Sequence, residues 1–394
     1  MTDMDLKGLG IQLSLLSVFR GILKTDTMSS LLKFLTVDDD LSLRTRLYGE
    51  FVYSLREDNY SFSDFLKRTV YADENKYVIG TAQGKKLPEA LVSNAKAELS
   101  LFSSLTRLDA DTLCKSLSYS GYIPRFSNTA VDFEKTYEER LSNIGKYGYG
   151  VFSSAKMFRV EGQDILPVEA ADDISADSFV GYKQERQKVF DNTKALIDGK
   201  PAANVLLFGD AGTGKSSTVK ACVNRFYGDG VRLIELRKDQ LLSLSAIMDR
   251  IAENPLKFII FIDDLSFNKN DDCFSMLKAA LEGSASAKAH NAVIYATSNR
   301  RHIVKETFSD RATSDDIHHN DTVQELMSLS DRFGLTVYFG KPDKALYLQI
   351  VHSLARKNGI EIEQNELDIK AEAFALSKGS RSPRAAEQFI NSLI

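Results

Sequence analysis

The stretch Asn204-Val-Leu-Leu-Phe-Gly-Asp-Ala-Gly-Thr-Gly-Lys-Ser-Ser-Thr218 decides how the rest of this 394-residue chain is read. A short apolar run, Val205 to Phe208, leads into G-x-x-x-x-G-K-S, with a helix to follow. Strand, loop and helix in that order make a phosphate-binding loop. Gly209, Gly212 and Gly214 let successive backbone N–H groups turn inward around an anion, because a side chain there would block close approach or forbid the backbone angles. Asp210, Ala211 and Thr213 complete the loop and Ser217 follows it, so the cradle is made of main chain. Lys215 adds a point charge for the β and γ phosphates, Ser216 offers a hydroxyl to Mg²⁺, and the helix beginning here aims its positive end at the same place.

Working outward, the length exceeds one ordinary core, so more than one domain is expected. Hydrophobic residues make up 43% and charged residues 26%, with only 7 prolines, which suits a globular chain without long disordered tracts. A net charge of -4 argues against whole-surface binding to nucleic acid or acidic lipid. Cys114, Cys222 and Cys273 are far apart and without metal-ligand spacing, which fits a reducing compartment. Leu9 to Leu23 is apolar at helical intervals, yet it is too short to span a bilayer and carries Arg20. A cytoplasmic protein with no membrane segment is the expectation.

Residues 1–145 carry helical stripes. Tyr48, Phe51, Val52 and Leu55 share a face after the capping run Asp38-Asp39-Asp40. Leu91, Ala95, Leu99 and Phe102 do the same after Pro88, as do Phe133, Tyr137, Leu141 and Ile144. Such stripes face a core, and this region announces no chemistry. Residues 146–177 read as a β-hairpin, Met157 to Val160 and Ile165 to Val168, ending in an acidic linker, Glu169 to Asp177. The aromatics Tyr147, Tyr149, Phe152 and Phe158 are read as packing rather than base-stacking, since little basic residue lies among them. Residues 178–341 alternate strands, near Val205, Leu233, Ile260, Ile294 and Val337, with helices. That alternation implies an α/β fold whose parallel sheet is covered on both faces, with ligands at the strand ends. Residues 342–394 hold only helices.

The strand Phe258 to Ile262 ends in Asp263-Asp264, two acids at the carboxyl end of a buried run. Asp263 is placed to hold Mg²⁺ opposite Ser216, and Asp264 to take the proton of an attacking water. The next strand ends in Ser298-Asn299, where an amide can orient that water or touch the γ-phosphate; alone, Thr-Ser-Asn at a strand end is also ordinary turn chemistry.

Together with Ser330-Asp331-Arg332-Phe333 before the fifth strand and Gly379-Ser-Arg-Ser-Pro-Arg384 among the last helices, these motifs resemble an AAA+ ATPase. The wording Asp263-Asp264-Leu-Ser-Phe267, Tyr295-Ala-Thr-Ser-Asn-Arg-Arg301 and Ser328-Leu-Ser-Asp-Arg-Phe-Gly334 is similar to a bacterial ATPase family described only as a domain of unknown function. The resemblance covers Phe179 to Ile394. It implies a parallel five-stranded core in the order 5-1-4-3-2 with a C-terminal helical lid, ATP as the nucleotide with Mg²⁺, and a homo-oligomeric ring or arc acting on a protein client. It further implies an arginine finger at Arg332 serving a neighbouring subunit, and a lid sensor at Arg384, with Arg381 the alternative. Val180, Gly181 and Tyr182 would lie against adenine.

Two departures stand out. Asp264 is one methylene shorter than the usual Glu, so slow hydrolysis is expected. The segment Arg237-Lys-Asp-Gln-Leu-Leu-Ser-Leu-Ser245 lacks the aromatic pore loop of polypeptide-threading rings. Asn268-Lys-Asn-Asp271 spells a guanine-binding pattern, but it follows Asp264 by four residues rather than a later strand, so GTP is disfavoured. His318-His319 is read as part of a solvated loop rather than a metal site. Two other readings stay open: a nucleotide-gated loader on nucleic acid, using Arg300-Arg301 and Arg237-Lys238, and an assembly scaffold that binds ATP with weak hydrolysis.

Overall fold

The computed structural model describes residues 6–37, 40–169, 174, 179–265, 272–282, 290–299 and 332–394. The chain divides into two compact units, 1–154 and 155–394. Among the described residues, no helix is long and apolar enough to cross a membrane.

The first unit is helical, and the expected stripes are its core. Tyr48, Phe51, Val52 and Leu55 are buried, as are Ala95, Leu99, Phe102, Phe133 and Tyr137. Asp40 caps its helix by accepting from the Leu43 N–H, and Pro88 occupies the N-cap of Glu89–Leu105, where its missing N–H is not needed. Edge-to-face aromatic pairs, Phe19 with Phe102 and Phe51 with Phe62, tie the helices together. One buried charge stands out. The Glu98 carboxylate accepts from the backbone N–H groups of Ser17, Val18 and Phe19 and from the Ser17 hydroxyl, at 2.7 to 3.1 Å, closing the turn before Arg20–Lys24.

The second unit is built on one sheet. Its strands are β1 (Met157–Glu161), β2 (Asp164–Pro167), β3 (Val205–Gly209), β4 (Val231–Leu236), β5 (Lys257–Ile262), β6 (Ala292–Ser298) and β7 (Leu335–Phe339). They run in the order β2-β1-β4-β5-β6-β3-β7, and every pairing but β1 with β2 is parallel. Among the described residues the sheet has seven strands rather than the expected five. The hairpin is not a separate piece: Met157, Phe158 and Arg159 pair with Leu233, Ile234 and Glu235 on β4, so β1 extends the sheet at its edge. Along β1, Met157, Phe158 and Val160 are buried while Arg159 and Glu161 are exposed, and those three apolar side chains need cover that an isolated hairpin cannot give. The Tyr147-to-Phe158 aromatics are correspondingly divided. Tyr149 joins the helical core, Phe158 is buried in the sheet unit, and Tyr147 is exposed.

β5 is apolar on both faces, Phe258 to Ile262 being fully buried, as a central parallel strand must be. Three helices, Lys344–Lys357, Gln364–Ser377 and Pro383–Asn391, close the chain around a small core of their own that includes Tyr347, Val351, Ala371 and Phe389.

Candidate functional site

Parallel strands deliver their carboxyl ends to one edge, and β6 lies between β5 and β3. That order alone brings the loop after β3, the acids after β5 and the amide after β6 together. Gly209 ends β3 with φ +132°, and a Cβ there would strike the carbonyl of Phe339 on β7, which accepts from the Asp210 N–H at 3.0 Å. Gly212 has φ +73° and Gly214 φ +90°, the latter standing as N-cap of the helix Lys215–Phe226. Thr213 is buried and its hydroxyl donates to the Asp210 carbonyl at 2.8 Å, while Asp210 and Ala211 stay exposed at the loop's lip and Ser217 is half-buried in the first helical turn.

The Lys215 ammonium folds back into this loop. It donates to the carbonyls of Gly209 at 3.0 Å and Asp210 at 2.7 Å, and to Asn299 Oδ1 at 2.9 Å. Burial pushes its pKa below the ordinary lysine value, against the pull of the nearby Asp210, Asp263 and Asp264 carboxylates. All three hydrogen-bond acceptors are neutral, so a polyphosphate entering the loop would offer the ammonium better partners.

On the acid side, Ser216 Oγ donates to Asp263 Oδ1 at 2.6 Å. The Thr297 hydroxyl donates to the same oxygen and accepts from the Asp264 N–H at 2.9 Å. Asp264 adopts a left-handed backbone, φ +50°, and its Oδ1 accepts from Asn299 Nδ2 at 2.9 Å. Asn299 therefore bridges Lys215 and Asp264 with its two amide atoms. Of the expected site residues, the structure joins Lys215, Ser216, Asp263, Asp264 and Asn299 in one hydrogen-bonded network.

The segment before the first core helix, Lys183–Ile197, borders the same loop. Tyr182 is left-handed, φ +50°; its hydroxyl donates to the Gly340 carbonyl and its ring leans on Phe339, centroids 5.3 Å apart. Burial, with the Asp210 charge nearby, pushes its pKa up to about 12. The carbonyls of Val180 and Gly181 accept from Arg186, whose guanidinium is buried and lies 4.4 Å from the Phe179 ring centroid. Burial lowers the pKa of Arg186 to about 10.

The two lid arginines part company. Arg381 makes a bidentate pair with Glu372, at 3.0 and 2.8 Å, within the helical piece. Arg384 sits in the first turn of Pro383–Asn391, its N–H donating to the Gly212 carbonyl at 3.3 Å, and a Cβ at Gly212 would stand 3.0 Å from its own Cβ. Arg332 is not brought to this edge. It precedes Leu335, the first residue of β7, and β7 runs parallel to β3 from Val205↔Leu335 to Gly209↔Phe339. Four residues of strand, about 13 Å, separate that start from the phosphate loop.

Two residues escaped the sequence reading. Thr297 was visible only as part of a polar strand end, and Arg186, one helical turn after Tyr182, reads as solvated helix charge until its burial is seen. Arg237, a candidate phosphate contact, is paired with Asp239 at 3.1 Å. Asn268 to Asp271, Arg300-Arg301, His318-His319, Asp331 and most of the acidic linker lie outside the described residues.

A mostly parallel α/β sheet with a phosphate loop on one strand, paired acids two strands away and an amide on the strand between them is the arrangement of AAA+ P-loop proteins. A family model described as "Protein of unknown function (DUF815)" matches residues 153–394, more than half of the chain, and the chain belongs to that family. Among solved structures it is similar to the Thermotoga maritima RuvB Holliday junction branch migration motor, with TM-score 0.35 and 13% identity, covering 56% of this chain and 72% of that one. Single-residue variants of that RuvB match at 14% identity with the same coverage and TM-score. No curated protein matches the chain.

Proposed function

We propose that this protein binds ATP with Mg²⁺ and hydrolyses it between copies of itself, coupling nucleotide state to the remodelling of a protein partner. The observation that carries the reading is the single network of Lys215, Ser216, Asp263, Asp264 and Asn299 at the end of the phosphate loop. Ser216 and Asp263 supply two oxygen donors side by side, a set that suits Mg²⁺ when phosphates and waters complete the shell. Bound there, Mg²⁺ would neutralise charge on the β and γ phosphates.

The chain's own groups divide the remaining work. Lys215 exchanges its neutral acceptors for phosphate oxygens, and the main chain from Gly209 to Gly214, with Ser216 and Ser217, cradles the phosphates. Asp264, held by Asn299, accepts the proton of the water that attacks the γ-phosphorus as the bond to the bridging oxygen breaks. Val180, Gly181 and Tyr182 border the base, with Arg186 fixing their carbonyls. Arg384, whose backbone touches Gly212, reports nucleotide to the lid at 342–394; the commitment of Arg381 to Glu372 supports this choice. Arg332, at the far end of β7 from its own phosphate loop, serves the loop of a neighbouring copy. The helical region before the hairpin selects the client, and the free, buried thiols of Cys114 and Cys222 are compatible with work in a reducing compartment.

A second reading keeps the ATP site but not the turnover: a scaffold that assembles on nucleotide and hydrolyses it slowly, favoured by the short Asp264 side chain already tied to Asn299. Binding of a fluorescent ATP analogue, phosphate release and assembly mass, measured on wild type and Lys215→Ala, test both. Wild type should bind and release phosphate, and Lys215→Ala should lose both. Binding and assembly without phosphate release would favour the scaffold, and equal binding by the two proteins would remove the site assignment.

A further inference from the structure

We propose that the Thr297 hydroxyl is a positioning group that sets the metal-side carboxylate of Asp263 and the water-facing carboxylate of Asp264 as one unit. The proposal rests on the ATP-hydrolysing reading above. Thr297 lies near the end of β6 and is 2% exposed, so its hydroxyl has no competing water and uses both of its hydrogen-bonding functions here. It donates to Asp263 Oδ1 and accepts from the Asp264 N–H at 2.9 Å. Its carbonyl also accepts from the N–H of Leu265, a fully buried residue, at 2.7 Å. Asp264 is thus gripped on both sides by one residue of the neighbouring strand.

The grip explains an unfavourable conformation. Few residues with a Cβ adopt φ +50°, Asp being among the more tolerant, and Asp264 adopts it where the chain leaves β5. Had the strand continued extended, the side chain at 264 would point to a face of the sheet. The left-handed step turns it along the edge instead, to within 2.9 Å of Asn299 Nδ2. The same hydroxyl holds Asp263 Oδ1, the atom that Ser216 Oγ also contacts, so the orientation of the metal-side acid and that of the proton-accepting acid are mechanically linked.

The test compares Thr297→Val, which keeps the shape and removes the hydroxyl, with Thr297→Ser, which restores it, in the full chain. Readouts are kcat and KM for phosphate release, the Mg²⁺ concentration giving half-maximal binding of a fluorescent ATP analogue, Mg²⁺-free binding of that analogue, and thermal unfolding. Thr297→Val should lower kcat by about 10- to 100-fold and raise the Mg²⁺ requirement several-fold, as loss of an outer-shell partner does, with Mg²⁺-free affinity within about twofold. Thr297→Ser should return both quantities toward wild type. Wild-type values of kcat and Mg²⁺ requirement in Thr297→Val would overturn the proposal, as would a Ser variant as impaired as the Val variant. Wild-type protein that binds ATP without turning it over would refute the hydrolytic reading alone, leaving the Mg²⁺ dependence of binding to decide this one.

Discussion

Asn299→Ala isolates the centre of the network. The substitution removes two hydrogen bonds of 2.9 Å, one from the Lys215 ammonium and one to the Asp264 carboxylate. A hydrogen bond to a charged group contributes about 1.5–3 kcal/mol where water is excluded. Asn299 and Asp264 are exposed, and Lys215 keeps its two carbonyl acceptors, so about 0.5–1 kcal/mol each is the appropriate scale. The nucleotide-free protein should lose about 1–2 kcal/mol, a fall of roughly 4 °C in the unfolding midpoint for a unit of this size. Turnover should suffer more, because a preorganised donor at a reacting centre contributes about 10²-fold or more in kcat. Phosphate release at saturating ATP and thermal unfolding without nucleotide measure the two effects. Turnover within threefold of wild type, with an unmoved midpoint, would refute the reasoning that this amide holds both charges.

Two further predictions concern stability. Glu98→Ala should destabilise the helical unit by about 2–3 kcal/mol, since three backbone N–H groups and the Ser17 hydroxyl lose their acceptor; denaturant unfolding followed by circular dichroism checks this, and a change under 0.5 kcal/mol would contradict it. The Arg381 guanidinium hydrogen-bonded to Glu372 holds that carboxyl below its ordinary value of 4.5. A depressed carboxyl stabilises the folded state above the unfolded pKa and ceases to do so as pH falls through the folded pKa. Glu372→Gln should therefore melt below wild type at pH 6 and approach it as the pH is taken well under 4; a gap that persists unchanged at low pH would show that the pair does not supply it.

Much of the sheet was legible because its strands are written as apolar runs. Phe258 to Ile262 admits few readings other than a buried strand, and the glycine spacing after Phe208 admits few other than a phosphate loop. The hairpin was legible as a hairpin, but its neighbour was not: the β1–β4 pairing is made of backbone hydrogen bonds, which no side-chain pattern announces. Burial of Arg186 runs against the rule that helix cations face water, and the rings of Phe179 and Tyr182 together with two carbonyl acceptors offset it. Spacing leaves both Arg384 and its alternative, Arg381, in reach of the site. Three-dimensional detail separates them, because Ser382 caps a helix that begins at Pro383 and so puts Arg384 against Gly212, while Arg381 falls outside it and turns to Glu372.

In the proposed function the catalytic centre is shared between two copies, one lending the phosphate loop and the other Arg332. The direct test mixes two proteins that are each inactive by that account, Lys215→Ala and Arg332→Ala, in equal amounts and follows phosphate release. An intact loop from the Arg332→Ala copy should meet an intact arginine from the Lys215→Ala copy at about one quarter of randomly formed interfaces, restoring roughly that fraction of wild-type turnover. Activity in the mixture no greater than in either protein alone would contradict it.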